Sequence, residues 1–267
     1  LSYTPLFFHL DRPGDSAKLD QLIEEKKPFI YNEIDSQLKE LYLCLHPTLS
    51  FESRAYITWR DQHLNGNDIH QYGCWVYYPW NNHIVHVLPK TEFIKVRTNR
   101  NLYKITEQEL ETLSKKTIGI VGLSVGNTIA LTMATERIFG HIKLADFDDI
   151  ELSNLNRLSV PISQLGLNKS ILAARQIVEI DPFLNVTCFP EGISEHNINS
   201  FFAQPLDLCI EECDSLEIKL LIRQQAKRAK VPVIMETNDR GMLDIERYDL
   251  TPDYPIFHGQ IPDIESW

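Results

Sequence analysis

The stretch that decides the fold is residues 117–157, TIGIVGLSVGNTIALTMATERIFGHIKLADFDDIELSNLNR. An apolar run ends at a turn that contains Gly122 and Gly126, a helical stretch follows, and a second apolar run ends at Asp146. This order is typical of a strand, a phosphate-facing turn, a helix and a parallel strand with a carboxylate at its end. Asp146 lies 24 positions after Gly122 (146 − 122), a spacing that allows its carboxylate to reach a ribose hydroxyl. The pattern therefore predicts a nucleotide site.

The alternation of strands and helices continues from residue 117 to residue 236. Further apolar runs and helical stretches follow in turn, at 165–181, 186–189, 195–203, 206–210, 216–230 and 231–235. Such alternation is typical of a mainly parallel sheet with helices on both faces. We therefore predict an α/β, Rossmann-like domain over residues 96–250, and expect residues 251–267 to begin a linker or a following domain.

Residues 1–95 differ from the rest of the chain in their sequence patterns, which predict a small α+β region of unknown role. Helical spacing of apolar residues predicts helices over 15–25 and 32–45. Two β-rich runs, 74–78 and 84–88, are separated by a turn sequence and predict a hairpin. A further helix is expected over 106–114, where Thr106 and Glu109 fit a capping box.

The composition limits the classes of partner. The chain has 267 residues, of which 43% are hydrophobic, enough for an ordinary buried core. A net charge of -11 argues against nucleic acid or an anionic membrane as a partner. The five cysteines are scattered and include no pair separated by two residues, so we expect neither a disulfide framework nor zinc, and we predict a cytoplasmic location.

Residues 146–157, DFDDIELSNLNR, resemble the signature of the E1-like superfamily, which includes the ThiF, MoeB and HesA adenylyltransferases and the ubiquitin-activating enzymes. The resemblance covers residues 97–250 and continues through the segments 166–169 (GLNK) and 213–215 (CDS). It implies an ATP-dependent adenylyltransferase. In such enzymes a carboxylate, here the C-terminus of a ubiquitin-like or sulfur-carrier protein, attacks the α-phosphate of ATP and gives an acyl-adenylate and pyrophosphate.

The resemblance also implies a role for individual residues. Asp146 would hold the ribose hydroxyls, and Asn154 would help to seat the nucleotide. Arg157 and Lys169 would contact the triphosphate, and Asp214 would hold Mg2+, which prefers carboxylate and phosphate oxygens. Arg100 matches an arginine that reaches across a homodimer to the partner's ATP. The expected cofactor-binding set is completed by Gly122, Ser124, Gly126 and Asp148.

The residues alone leave other interpretations open. Asp146 also suits an NAD-dependent oxidoreductase. Arg157 also suits a pairing with Asp148 or Glu151. Lys169 also fits an exposed lysine in a first helical turn, and Asp214 also fits a helix cap.

The glycine turn departs from the family pattern. Relatives have Gly-x-Gly-Gly-x-Gly, whereas Ser124 and Val125 stand here where glycine lets the backbone approach phosphate. A valine adopts a positive φ only with strain. This departure favours an alternative function, a non-catalytic nucleotide-binding or dimerisation module. We also expect adenylation without thioester transfer, because no cysteine stands at a thioester-forming position.

A closer resemblance is to bacterial proteins in which a ThiF-like domain precedes a flavin-dependent nitroreductase-like domain. It rests on residues 237–250, TNDRGMLDIERYDL, and on the GLSVGN turn at 122–127. It implies that Trp267 is a truncation point, that FMN is expected only in a downstream domain, and that a non-catalytic module would serve that domain.

Overall fold

The computed structural model describes residues 2–48, 51–203, 205–237 and 241–261. The chain divides into two compact units, Ser2–Glu107 and the part that begins at Gln108. Residues 238–240 of the run used for the closer resemblance, and residues 262–267 of the expected linker, lie outside the described residues. Within the described ranges, no helix is long and apolar enough to cross a membrane.

The first unit is an α+β structure built on a four-stranded sheet. The predicted hairpin is confirmed, because strands at Cys74–Tyr78 and His83–Val87 pair antiparallel. The predicted helix over 32–45 starts later, at Ile34, because a short strand ends at Asn32. The unit's elements are β1 (Leu6–Phe8), α1 (Asp15–Lys26), β2 (Phe29–Asn32), α2 (Ile34–Leu45), α3 (Ser53–Leu64), β3 (Cys74–Tyr78), β4 (His83–Val87) and α4 (Lys90–Thr98), and α5 (Glu107–Leu113) follows.

Aromatic and aliphatic side chains fill the core of this unit. The sheet order is β1-β3-β4-β2, with β2 parallel to β4 at one edge. Buried side chains of α2 and α3, among them Leu38, Tyr42 and Tyr56, form one cluster. Trp75 and Tyr77 of β3 pack with Ile84 of β4 in another. The aromatic residues of the hairpin therefore serve as core.

The second unit has the predicted α/β, Rossmann-like fold. Its six-stranded sheet has the order β10-β9-β8-β5-β6-β7, and only β10 runs antiparallel to its neighbour. The elements from residue 117 on are β5 (Thr117–Val121), α6 (Gly126–Glu136), β6 (His141–Ala145), α7 (Lys169–Ile180), β7 (Asn185–Phe189), α8 (Ile198–Phe202), β8 (Leu208–Glu211), α9 (Leu216–Ala229), β9 (Val233–Thr237) and β10 (Met242–Glu246).

The helix predicted over 165–181 begins four residues later than expected. Asn168 ends the preceding segment, and its side chain accepts hydrogen bonds from the backbone N–H groups of Ser170 and Ile171. An N-cap of this kind satisfies backbone donors that otherwise have no partner in the first turn of a helix. The prediction of a start at Leu165 was therefore wrong, although the helix itself is confirmed.

The strand order creates a crevice at the carboxyl edge of the sheet. The chain leaves β5 towards β6 and β7 on one side, and then crosses back so that β8 lies on the other side of β5. At such a switch point the loops after the two central strands diverge and leave an open crevice. The glycine turn follows β5, and residues 212–214 follow β8, so both segments line this crevice.

A buried ion network attaches the antiparallel strand β10 to the rest of the unit. The guanidinium of Arg223 on α9 binds Glu211 at the end of β8 and Glu246 at the end of β10, and all three side chains are fully buried. Lys219 binds Glu211 at 2.9 Å, and the Tyr248 hydroxyl donates to Glu246 at 2.7 Å. The two carboxylates are thus compensated by two cations, as burial of charge requires.

We expect Gly122→Ala to destabilise the second unit more than Gly166→Ala does. Gly122 and Gly166 have φ of +87° and +79°, so alanine at either site costs about 1–2 kcal/mol. Only at position 122 does the added Cβ meet backbone, the Glu212 carbonyl oxygen at 2.5 Å. Urea unfolding of both variants measures the two losses. Equal losses would contradict a steric role for Gly122.

Candidate functional site

The glycine turn uses a different backbone shape from the one that a glycine-rich motif requires. Gly122 has a φ of +87°, whereas Val125 has a φ of −97° and a ψ of −45°, in the right-handed helical region. Val125 therefore needs no positive φ, and its backbone is unstrained. Val125 is the N-cap residue of α6, and its side chain makes no capping hydrogen bond. The positive end of α6 thus begins at the crevice with no side-chain cap of its own.

Asp146 is buried at the end of β6 and is bonded to the glycine turn. Its Oδ2 accepts a hydrogen bond from the Leu123 N–H at 2.6 Å, and its Oδ1 accepts one from the Asp148 N–H at 2.8 Å. The residue is only 8% exposed, and this burial raises the pKa of its carboxyl group, an effect that the two N–H groups and the Lys169 charge oppose. Each oxygen keeps a second lone pair for another donor.

Lys169 lies beside the same turn. It is 5% exposed, so the interpretation as an exposed first-turn lysine was wrong. Its Nζ pairs with Asp148 Oδ2 at 2.7 Å and donates to Ser124 Oγ at 3.3 Å. The structure therefore brings together four of the residues predicted for the site, Ser124, Asp146, Asp148 and Lys169.

Asn168 holds this cluster in place, and the sequence analysis did not assign it a role. Its side-chain Nδ2 donates to the carbonyl oxygens of Asp146, Asp148 and Pro190, at 3.0, 3.3 and 3.2 Å. The same amide caps α7 with its oxygen. An asparagine directly before a helical pattern is a known cap signal, so the sequence contained the information.

Asn154 and Arg157 lie on the loop that follows Asp146. Asn154 is buried in a short 3-10 helix, Leu152–Asn156, and its Oδ1 accepts from the Glu151 N–H at 3.0 Å. Arg157 is exposed, and its Nη1 donates to Asn156 Oδ1 at 2.9 Å. The guanidinium is therefore held by its chain neighbour, while Asp148 is paired with Lys169.

Asp214 is exposed on the β8 side of the crevice. The cap of α9 is Ser215, whose side chain accepts from the Ile218 N–H, so the interpretation of Asp214 as the cap was wrong. In the part of the chain that the structure describes, no group of three or more acidic, histidine or cysteine side chains is placed to hold a metal ion. A cation at Asp214 would need further oxygen ligands from a bound molecule.

Glu212 directly follows β8 and was missed by the sequence analysis. Its carbonyl oxygen lies against Gly122, and its Oε1 accepts from the Glu236 N–H at 2.9 Å. Burial raises the pKa of its carboxyl group to about 7, and the nearby charges of Glu211 and Glu236 add to the rise. This rise in pKa depends on burial and on neighbouring charges that come together only in the folded chain. In the sequence, Glu212 is one acid in a run of several, and no local pattern distinguishes it.

Arg100 lies in the other compact unit. It is exposed in a short 3-10 helix, Asn99–Asn101, that follows α4. Its expected role towards a partner's nucleotide stays a prediction.

The sheet order, the glycine turn and the buried Asp146–Lys169 cluster define a Rossmann-like α/β protein. Residues 96–238 match the model of the ThiF family. This match covers more than half of the chain, and the chain belongs to the ThiF family.

Three relatives illustrate the similarity. An uncharacterized protein of Mycobacterium tuberculosis is 48% identical over 192 residues, which are 72% of this chain and 27% of that protein. The tRNA threonylcarbamoyladenosine dehydratase of Bacillus subtilis is 28% identical over 154 residues, 57% of this chain and 60% of the enzyme. Ubiquitin-like modifier-activating enzyme 5 of Drosophila persimilis is 27% identical over 144 residues, 50% of this chain and 36% of the enzyme.

The fold also matches a solved structure. The crystal structure of the Escherichia coli tRNA N6-threonylcarbamoyladenosine dehydratase in complex with ATP aligns with a TM-score of 0.51 and 26% identity. The alignment covers 55% of this chain and 61% of that chain. The chain thus spans about a quarter to three fifths of the length of these relatives.

We expect Glu212 to make the stability of the protein fall as the pH rises. The ordinary pKa of the carboxyl group is 4.5, and the folded value is about 7. Between these values the folded state binds more protons than the unfolded state, so the free energy of unfolding decreases with rising pH. Glu212→Gln keeps an acceptor for the Glu236 N–H and cannot ionise, so this variant should lose that decrease.

Urea unfolding between pH about 5 and about 8 tests the effect by comparing the wild type with the variant. Glu111→Gln is the control, because Lys115 lowers the pKa of the exposed Glu111 and no decrease is expected from it in this range. Parallel stability curves for the wild type and Glu212→Gln would contradict the assignment.

Proposed function

We propose that this chain is an ATP-dependent adenylyltransferase that activates a carboxylate, the C-terminus of a ubiquitin-like or sulfur-carrier protein, as an acyl-adenylate. The observation that carries the proposal is the placement of Lys169, buried between Ser124 and Asp148 beside the glycine turn. Membership of the ThiF family and the similarity to an ATP-bound relative support it. Family membership also argues against the NAD-dependent oxidoreductase.

The cluster offers matching groups to each part of ATP. Asp146 retains lone pairs that suit ribose hydroxyls, and the free positive end of α6 suits phosphate oxygens. Lys169 would exchange its Asp148 partner for a phosphate oxygen, and the exposed Arg157 would turn from Asn156 to do the same. Both cations would stabilise the negative charge that builds on the α-phosphate as the carboxylate attacks. The enzyme then contributes positioning and charge, and the nucleophile comes from the substrate.

Mg2+ suits the charge balance of this crevice. Asp146 and Asp148 follow β6, and Asp214 follows β8, so a bare triphosphate would meet carboxylate charge on both sides of the crevice. A hard divalent cation bound to Asp214 and to the phosphate oxygens would offset that repulsion. Asp214 suits this role because its carboxylate is exposed at the mouth of the crevice.

The chemistry of Cys213 supports adenylation without thioester transfer. Cys213 is the cysteine next to Asp214, and its Sγ donates to Glu211 Oε1 at 3.0 Å. Burial and the Glu211 charge raise the pKa of the thiol to about 12. The thiolate is the nucleophilic form of cysteine, and it is scarce at such a pKa. Cys213 is therefore unsuited to form a thioester with the activated carboxylate.

Other parts of the proposal rest on the resemblance. We keep the assignment of Arg100 to a partner's ATP in a homodimer, and the division into residues 1–95, 96–250 and 251–267. A nitroreductase-like domain with FMN downstream of this chain stays a prediction.

One observation favours a second candidate, a non-catalytic nucleotide-binding or dimerisation module. Lys169 is the cation that would bind phosphate, and its Nζ already has an anionic partner in Asp148, at 2.7 Å. If Asp148 keeps this lysine, nucleotide binding is weakened and turnover is lost. Calorimetry with ATP and Mg2+, followed by exchange of labelled pyrophosphate into ATP with carrier proteins, separates the two functions.

We expect Lys169→Gln to weaken the binding of ATP with Mg2+ by roughly 10- to 100-fold, because a charge-assisted hydrogen bond contributes about 1.5–3 kcal/mol. Isothermal titration calorimetry measures the change. Lys115→Gln is the matched control, since it removes the same charge from an exposed site, where Lys115 Nζ pairs with Glu111 Oε1 at 2.9 Å. Wild-type affinity in Lys169→Gln would exclude the proposed phosphate contact.

A further inference from the structure

Residues 254–259 form a strap that lies over the buried ion network of the second unit. The strap follows β10 and contains a 3-10 turn, Ile256–Gly259. Ile256 packs against the hydrophobic core of this unit. The ring of Phe257 lies on the guanidinium of Arg223, with 4.0 Å between the Arg223 Cζ and the ring centroid. The strap is therefore part of the cover that keeps Arg223 out of water.

Polar contacts fasten the strap to β10. The Phe257 N–H donates to Glu246 Oε1 at 2.7 Å. His258 Nε2 lies 3.0 Å from Asp244 Oδ1, and His258 Nδ1 lies 3.0 Å from the Tyr254 hydroxyl. Asp244 and Glu246 are alternate residues of β10, so they lie on the same face of the sheet. The strap is thus docked on one face of this strand.

The backbone of the strap is strained at two consecutive residues. Phe257 and His258 have φ of 49° and 56°, in the left-handed region. A bulky side chain at positive φ is an outlier, and such a conformation persists only where surrounding contacts hold it. Here the contacts are the ring on Arg223 and the bonds to β10. Their loss would let the backbone relax, so the strap has a docked state and a relaxed, undocked state.

A continuous series of short contacts connects the strap to the loop after β8. The Phe257 N–H and Arg223 Nε both donate to the Glu246 carboxylate. Arg223 Nη1 donates to Glu211 Oε2 at 2.8 Å. Glu211 Oε1 in turn accepts from the Cys213 N–H at 2.9 Å. The backbone of the loop is therefore bonded to the network that the strap covers.

Exclusion of water sets the strength of this connection. Opposite charges attract each other far more strongly in a dry site than in water. Arg223 and Glu211 are fully buried, and Phe257 lies on the guanidinium. If the strap leaves, water reaches the guanidinium and weakens its attraction to Glu211. Glu211 then holds the Cys213 N–H less firmly.

We propose that the strap and the loop after β8 open and close as one cooperative unit, so that docking of the strap positions Asp214. A docked strap keeps Glu211 bonded to the Cys213 N–H and holds Asp214 at the crevice. An undocked strap releases the loop. The consequence for Mg2+ at Asp214 rests on the proposed function. Cooperative opening does not, because it concerns the protein without nucleotide.

Amide hydrogen exchange of the full 267-residue chain without nucleotide tests the cooperative unit. In the wild type, the N–H groups of Cys213 and Phe257 should open with equal free energies. Both should open more readily than the Ile120 N–H in the centre of β5, because a local unit opens below the free energy of global unfolding.

Phe257→Ala removes the ring from Arg223. It should speed exchange of the Cys213 N–H by roughly 5- to 30-fold, the loss expected for a desolvated cation–π contact. Phe257→Tyr keeps the ring and should keep the wild-type rate. Leu250→Ala is the matched control, at a position that is 70% exposed between β10 and the strap, and it should also keep the wild-type rate.

His258→Ala is a second and milder variant, because it removes only the contacts of one exposed side chain. It should speed exchange of the Cys213 and Phe257 N–H groups by the same factor. Unequal opening of these two groups in the wild type would overturn the cooperative unit. A Cys213 rate that is unchanged in both variants, or opening of Cys213 only together with Ile120, would also overturn it.

ATP with Mg2+ tests the consequence for Asp214. A ligand that binds only the ordered loop also opposes undocking of the strap. ATP with Mg2+ should therefore slow exchange of the Phe257 N–H, and Asp214→Asn should abolish the slowing. ATP and Mg2+ that bind without slowing this exchange would overturn the positioning of Asp214. A wild type that binds no ATP would overturn the proposed function and the consequence for Mg2+, while the measurements without nucleotide would still decide the cooperative unit.

Discussion

The hydrogen bonds of the Asp146 carboxylate determine the geometry of the carboxyl edge of the sheet. A carboxylate that is buried without partners costs several kcal/mol, so its two backbone donors are a strong constraint on the chain. The Leu123 N–H joins it to the turn after β5, and the Asp148 N–H joins it to the loop after β6. With this loop fixed, Asn168 can bind the carbonyl of Asp146, and Lys169 can reach Asp148 and Ser124. One buried acid thus orders the β6 side of the crevice.

A second buried acid, Glu211, orders the β8 side. Its carboxylate accepts from the Cys213 N–H at 2.9 Å and binds both Lys219 and Arg223. Such networks add little net stability compared with apolar packing, but removal of one partner costs about 3–5 kcal/mol. The network therefore gives specificity, because it fixes the loop that carries Asp214 relative to α9. Through Glu246 it also couples that loop to β10.

Much of the fold was predictable because buried parallel strands are continuous apolar runs and their helices repeat at 3.6 residues. The alternation from 117 to 236 is confirmed element by element. Helix α3 was missed because it buries only Tyr56 and Leu64 and so shows little periodicity. The residues of β10 were read only as part of a family pattern, because Glu246 is the one buried residue of this strand and it is held by Arg223, which is distant in sequence. Contacts of this kind cannot be inferred from local patterns.

The residues of the candidate site were likewise predictable only in part. Asp146 and Lys169 were predicted because their spacing belongs to a signature, whereas Asn168 and Glu212 act through tertiary contacts. Valine at position 125 would be strained only in the backbone of a glycine-rich turn, and this chain does not retain that backbone.

In this turn, side-chain donors take the place that exposed backbone N–H groups have in a glycine-rich turn. Only Gly122 requires a positive φ, and Val125 enters α6 in a helical conformation. In a glycine-rich turn, phosphate approaches bare N–H groups; here the Ser124 hydroxyl stands in their place, bonded to Lys169. A hydroxyl and an ammonium are both donors, so this pair can meet an anion that the bulk of Ser124 keeps from the backbone. On the proposed function, the loss of glycine therefore transfers phosphate recognition from the backbone to Ser124 and Lys169, and makes it depend on whether phosphate displaces Asp148.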